Sequence, residues 1–399
     1  MAKVQAGKTV CLITPGHISS NPRLVKEAMA LSQSGYKVHL VFTQYVAYLV
    51  AHDQQILTAN PSWTYDHLNW TGHNLASKFN RLLNKITQLF NADPAIKLNR
   101  NYLWQLKKAI AYKADLYIAH NLSSLPVAVI AAKNNNSKCG FDAEDFHRNE
   151  VSDNLADEDV KLKTAIEEEY IPQVDYVTAS SPQIAEAYEG LFDRKIPTVL
   201  NVFPKTENVN IINNTDAPLQ LFWFSQTIGP NRGLEAIIDA INNSTSAMAL
   251  HLLGNVSDEY KQHLVSLMKN TPDLHFHQPV MPDELFAVAA KFDIGFTAEP
   301  GFSINNKIAL SNKLFTYLQS GLAIVTSDTP AQTAFLQQLP QIGSLYHNTE
   351  ELSALLVNYD NNRELLYATK LNNYKLGQST LNWETESQKF ISAIKTVLN

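Results

Sequence analysis

Short apolar runs alternate along this chain with amphipathic stretches and polar turns, in a regular order. Thr9 to Thr14 (TVCLIT) predicts a buried strand. A polar turn follows, and Pro22 to Ser34 predicts a helix with Asn21 at its cap and proline in its first turn. Gly35 stops that helix, and Lys37 to Thr43 (KVHLVFT) predicts the next strand. Further strands are expected at 115–119, 138–141, 175–179, 198–202, 219–224, 249–254, 274–277, 293–298 and 322–325, with helical patterns between them. Continuous apolar strands separated by helices are the mark of parallel sheets covered on both faces.

The clearest stretch is Glu299 to Asp328. A polar loop leads to Ser311-Asn312, a candidate helix cap, and Leu314, Phe315, Tyr317 and Leu318 form an apolar helical face. Gly321 sits where that helix should stop, before the buried run Leu322 to Val325. Loops leaving the carboxyl ends of parallel strands, followed by helix N-termini, are where such folds hold anionic ligands. Asn312 and Lys313 stand at such a position; an ordinary strand–helix connection with a polar cap fits the pattern as well.

Composition narrows the class. With 399 residues there is room for two separate cores. Apolar content of 45% and charged content of 18% are those of a globular protein, and a net charge of −6 argues against general nucleic-acid binding. Cys11 and Cys139 lie in apolar runs, which suits small core residues and neither a disulfide framework nor a zinc site. The first residues run into a strand without a signal-peptide core, and no apolar run reaches the length of about 20 residues that spans a bilayer. The expected location is the cytoplasm. Residues 78–113 carry eight Lys and Arg side chains against one acid, Asp93, on amphipathic patterns. This patch would suit the inner face of an anionic membrane, or simply two solvated helices over a sheet.

NKLFTYLQSGLAIV (312–325) resembles the donor-nucleotide segment of family-4-type retaining glycosyltransferases. ISSNPRLVKEAMALSQSGYKVHLV (18–41) is similar to their first βαβ unit, and the order of the remaining motifs matches along nearly the whole chain. The resemblance implies an α/β fold of two Rossmann-like domains with parallel sheets facing a cleft, termed GT-B. It places the acceptor-side domain at 1–203, a linker at 204–218, the donor domain at 219–378 and a final helix, 379–399, crossing back to the first. The implied function is transfer of a sugar from a nucleotide-sugar to a glycan, lipid-linked or other carbohydrate acceptor, with retention. Neither metal nor cofactor is expected.

Residue by residue, the resemblance puts His120 beside the reacting sugar and Glu144 where the family has a second histidine. Glu299 is a loose counterpart of the first of two motif glutamates, and Thr316 replaces the second, which binds ribose. Ser225 to Gly233 resembles a donor phosphate loop, with Gln226 and Arg232 at its two cationic positions; Asn312 and Lys313 complete the donor set. His17, Asn21, Arg23, Asn121 and His147 fall on the acceptor side. Arg23 is placed to reach a phosphate or acceptor, or to pair with Glu27 one turn on. Asp142, Glu144, Asp145 and His147 crowd one strand end, as a functional cluster or as a solvated acidic loop. The replaced histidine and glutamate leave two rivals open: a nucleotide-sugar epimerase, and a catalytically degenerate binding or scaffold protein.

Overall fold

The computed structural model describes residues 7–72, 93–207, 209–213, 217–269, 273–282 and 284–399. The chain divides into two compact units, one comprising residues 1–200 with 387–399 and the other residues 201–386.

The first unit is built on six parallel strands: β1 (Thr9–Ile13), β2 (Lys37–Gln44), β3 (Thr64–Asn69), β4 (Leu116–His120), β5 (Lys138–Ala143) and β6 (Tyr176–Ala179). Their order is β3-β2-β1-β4-β5-β6. The direction of winding reverses between β1 and β4, and at such a switch the loops diverge and leave a crevice at the carboxyl ends of the strands. The central strands are apolar and sealed on both faces: all of β4 is buried, as is β1 from Val10 onward. Each fully buried aliphatic side chain contributes about 1.5–3 kcal/mol relative to its exposed state.

The second unit repeats the plan with β7 (Leu219–Ile228), β8 (Met248–Val256), β9 (Leu274–His277), β10 (Ile294–Thr297), β11 (Ala323–Ser327) and β12 (Gly343–Tyr346), in the order β12-β11-β10-β7-β8-β9. Here the winding reverses between β7 and β10. The helix Asn312–Ser320 lies against this sheet. Tyr317 anchors it: the phenol donates to the Phe296 carbonyl at 3.1 Å, and its ring meets Phe222 and Phe224 edge-on. Gly321 ends the helix in the left-handed region at φ 66°, as its position in the pattern predicted.

One local expectation fails, and two strands appear that the pattern did not predict. Thr198 to Val202 forms no strand, only a single bridge between Thr198 and Ala179. Pro197 has no N–H to extend the ladder, and the Val199 carbonyl is taken by the Arg23 guanidinium at 2.7 Å. Strands β3 and β12 were not expected. Both are edge strands, β3 largely exposed and β12 half-buried along most of its length, so neither carries the apolar run that marks a central strand. The apolar pattern at 79–90 lies outside the described residues.

Candidate functional site

In the first unit, the chain leaves β1 through Thr14-Pro15-Gly16, makes one 3-10 turn at Ile18–Ser20 and enters the helix Pro22–Gln33. Asn21 caps that helix, its side-chain oxygen accepting from the Leu24 N–H at 3.0 Å. The same side chain turns its amide toward the sheet and donates to Glu144 Oε1 at 2.9 Å. One asparagine therefore fixes the helix and orients a carboxylate from the end of β5.

Behind Glu144 lies a buried charge cluster. Arg23 is wholly buried and binds Asp142 in a two-point pair, Nη2 to Oδ1 at 2.7 Å and Nε to Oδ2. Thr178 donates to the same carboxylate at 2.7 Å. The pairing of Arg23 with Glu27 is present at 3.5 Å but is secondary. Arg23 therefore sits behind the wall, holding Asp142, and not at the surface where a phosphate or acceptor would meet it. Burial alone would raise the Asp142 carboxyl, but Arg23 and His120 hold it below its usual range.

His120, the last residue of β4, is wholly buried among carboxylates: Glu27 at 3.2 Å from Nε2, and Glu144 and Asp142 at 3.5 and 3.7 Å from Nδ1. Neither ring nitrogen makes a well-aligned hydrogen bond, so the imidazole is held by charge. Burial by itself would lower its pKa. Glu27, Glu144 and Asp142 outweigh that and raise it to about 10, making His120 an imidazolium at neutral pH. The next residue, Asn121, has φ 71° and ψ 142°, a backbone conformation costly for any side chain. Its Oδ1 accepts from the Ser123 N–H and hydroxyl at 3.2 and 3.1 Å, which offsets part of that strain.

A pocket of about 460 Å³ opens at these strand ends, over the switch between β1 and β4. Asn21 and Asn121 line it, together with Tyr45 after β2, Trp70 after β3 and the turn Leu98 to Asn101. His17 and His147 are not among its lining residues. His17 is wholly buried, with Nδ1 on Asp53 at 2.6 Å and Nε2 accepting from the Tyr45 and Val46 N–H groups at 2.8 and 2.9 Å. It thereby fixes the loop that carries Tyr45. His147 is buried against Phe141, with Glu150 at 3.6 Å. Burial would lower its pKa, but Glu150 and the neighbouring carboxylates raise it.

Among the described residues, three metal-capable side chains converge at one place, Glu27, His120 and Asp142. Asp142 already carries the Arg23 guanidinium there, and a divalent ion would face that fixed positive charge at close range. The group is an ion-pair network.

In the second unit, β7 runs on through Ser225 to Ile228, so Gln226 lies in the strand and not in the expected loop, and Arg232 sits on the loop that follows; both are exposed. Gly233, at φ 73°, presses this loop against the turn after β10: a Cβ there would lie 2.7 Å from both the Cβ and the carbonyl oxygen of Ala298. The neighbouring Glu299 is nearly buried and accepts from Lys313 Nζ at 3.0 Å and from Asn306 at 3.2 Å. Burial would raise its pKa, and Lys313 holds it lowered. The Lys313 ammonium also sits 5.6 Å from the centre of the Trp223 ring. The Arg232 loop, Glu299, Lys313 and the exposed Asn312 at the helix start thus share one strand-end region. Thr316 does not join them. Its hydroxyl is buried and donates back to the Asn312 carbonyl at 3.2 Å, so it cannot stand in for a ribose carboxylate.

Tyr45, Trp70, Asn99, Arg100 and Asn101 were not expected at a site. Trp70 follows an edge strand with little pattern, and the Asn-Arg-Asn turn belongs to no motif. Of the basic stretch expected at 78–113, residues 78–92 lie outside the described residues, and Lys108 is paired with Asp66 at 2.5 Å. No helix among the described residues is long and apolar enough to cross a membrane.

No protein-family model matches the chain, and no curated protein matches it in sequence. Solved structures do. Anabaena HepE in complex with UDP is similar with a TM-score of 0.68 at 12% identity, over 98% of this chain and 100% of that one. Sucrose-phosphate synthase from Thermosynechococcus elongatus gives 0.67 at 13% identity, over 98% of each chain. A Listeria monocytogenes structure assigned as a UDP-N-acetylglucosamine 2-epimerase gives 0.59 at 13%, over 99% of this chain and 97% of that one. At such identities the likeness establishes the fold: two Rossmann-like units, each with a six-stranded parallel sheet, as in GT-B glycosyltransferases.

Proposed function

We propose that this chain is a glycosyltransferase that moves a sugar from a nucleotide-sugar donor, with a uridine diphosphate leaving group, to a carbohydrate acceptor. The observation that carries the reading is the strand-end region of the second unit. There Gly233 seats the Arg232 loop on Ala298, and Lys313 lies on Glu299 one residue further along. Arg232, Lys313 and the helix start at Asn312 would meet a diphosphate with two cations and free backbone N–H groups, and would stabilise the negative charge that builds on it as the glycosidic bond breaks. That chemistry requires no metal. Gln226 would add a neutral donor, and Glu299 would orient both the ammonium and a sugar hydroxyl.

In this reading the pocket of the first unit takes the acceptor. Asn21 and Asn121 are the groups an acceptor would touch, and His120 and Glu144, neither of which lines the pocket, would act through them, Glu144 by accepting from Asn21. Arg23, His17 and His147 act from behind, by holding Asp142 and the surrounding loops. Transfer with retention to a glycan or lipid-linked acceptor follows from the sequence resemblance, and work at the inner face of a membrane from the basic stretch at 78–113; both belong to the same proposal. The epimerase likeness is weaker, and the acid and base beside the proposed donor site, Glu299 and Lys313, are bound to each other at 3.0 Å.

The test is thermal shift against UDP, UDP-glucose and UDP-N-acetylglucosamine, followed by product analysis. Donor-dependent stabilisation that Arg232→Ala abolishes is expected, together with slow hydrolysis of the bound nucleotide-sugar. Interconversion of the free sugars without acceptor would establish the epimerase instead. A full shift retained in Arg232→Ala would remove that residue from the donor site, and no shift with any nucleotide would leave a scaffold.

A further inference from the structure

The pocket of the first unit has an unequal supply of hydrogen-bonding groups. The Glu144 carboxylate is not among its lining residues, and its Oε1 already accepts from Asn21 and faces His120 Nδ1 at 3.5 Å. Asn99 is also spent, on Gln105, the Ser123 carbonyl and the Asn101 N–H. Arg100 is the one charged side chain among its described lining residues, in a protein of net charge −6. It is exposed and has no ion pair or hydrogen bond among the described residues; its guanidinium instead lies over the Trp70 ring, 5.6 Å from the centre. Stacking of this kind holds the planar fork in one orientation with its N–H edges open. Trp70 in turn contacts Tyr45, a residue 51% exposed. The strained Asn121 presents an amide N–H₂ that has no partner among the described residues.

Among the described lining residues, the Arg100 guanidinium and the Asn121 amide are thus donors left open next to an aromatic face, and the guanidinium is the one charge. We infer that this pocket recognises an anionic sugar, a pyranose whose carboxylate or phosphate is bound by the Arg100 fork while its C–H face rests on Tyr45. A neutral hexose would leave the fork unmatched, whereas an oxyanion can take two parallel charge-assisted hydrogen bonds. The inference rests on the reading of this pocket as an acceptor site and adds the class of acceptor.

The test is saturation-transfer NMR titration of the full chain with D-glucuronate, D-glucose 6-phosphate and D-glucose. At least one anionic sugar is expected to bind about tenfold more tightly than glucose, and the better of the two identifies the anion as carboxylate or phosphate. Arg100→Gln should remove that preference, and Arg100→Lys should retain part of it, because it keeps the charge and loses the fork. Equal binding of all three sugars, no binding of any, or a preference that survives Arg100→Gln overturns the inference. The wild-type UDP shift separates the two claims. A UDP shift without anionic preference sinks this inference alone, and anionic preference without any nucleotide shift sinks glycosyl transfer and leaves an anionic-sugar site.

Discussion

Arg23 Nη2 donates to Asp142 Oδ1 at 2.7 Å, in a buried pair that ties the first turn of the helix Pro22–Gln33 to the end of β5 across 119 positions of sequence. Removing one partner strands a buried charge. Arg23→Met is expected to cost about 3–5 kcal/mol, and Asp142→Leu a comparable amount. Combining Arg23→Met with Asp142→Leu should cost less than the sum of the single changes, since no charge is then left uncompensated. Urea denaturation of the three variants checks this, and strict additivity would mean that the pair is not coupled.

The imidazolium of His120 makes stability depend on pH. Its pKa is near 6.5 in an unfolded chain and about 10 in the fold. The stabilisation is therefore complete below pH 6.5 and is lost as the pH rises through 10. Unfolding free energy should decline between pH 7 and 10, and His120→Gln should flatten that decline while lowering stability at pH 7. Glu27→Gln removes the nearest carboxylate and should draw the His120 titration down, measured by imidazole NMR. A ring already neutral at pH 8 in the wild type would contradict the charge arrangement described.

Gly233 seats the Arg232 loop against Ala298. Alanine there meets Ala298 at 2.7 Å and must also hold φ 73°. Gly233→Ala should destabilise the fold by about 1–3 kcal/mol. Because the loop must lift to relieve the contact, the UDP-induced thermal shift should fall with it. A destabilised variant with an undiminished UDP shift would separate the loop from nucleotide binding.

Glu299 and Lys313 form a nearly buried pair, so the two deletions are unequal. Lys313→Met leaves a carboxylate with only Asn306 and Ser311 nearby, and should cost about 3 kcal/mol while raising the Glu299 pKa. Glu299→Gln leaves an ammonium that still reaches Ser311 Oγ at 3.3 Å and the Trp223 face, and should cost less. In the proposed mechanism Glu299→Gln also keeps UDP binding and lowers turnover. Thermal denaturation and isothermal titration with UDP test both statements; a larger loss in Glu299→Gln than in Lys313→Met would reverse the assigned roles.

Much of the architecture was legible along the chain because its cause is local. A strand sealed on both faces, such as Leu116–His120, must be an unbroken apolar run, and a helix ended by Gly321 needs a residue that tolerates positive φ. Alternation of the two dictates parallel sheets, and parallel sheets dictate that ligands approach the carboxyl ends of strands. His120, Glu144, Glu299 and the Arg232 loop were therefore expected at strand ends, and that is where they lie.

Which side chains meet there is another matter. Nothing near Arg23 in the sequence announces Asp142, and nothing near Thr316 announces that its hydroxyl turns back into its own helix. The failure of Thr198 to Val202 to form a strand depends on a guanidinium from position 23 taking its carbonyl. Trp70 and Arg100 meet over the pocket although no pattern joins them. Periodicity reports which face of an element is buried, because burial recurs with the turn of the backbone. The partner of a polar group is decided by strand order and helix seating, which bring together residues far apart in the chain. The sequence by itself thus determined the two parallel-sheet units and the ends at which chemistry would sit. Only tertiary packing decided that His120 is held as a cation, that Arg23 is structural and that Arg100 meets Trp70 at the first unit's pocket.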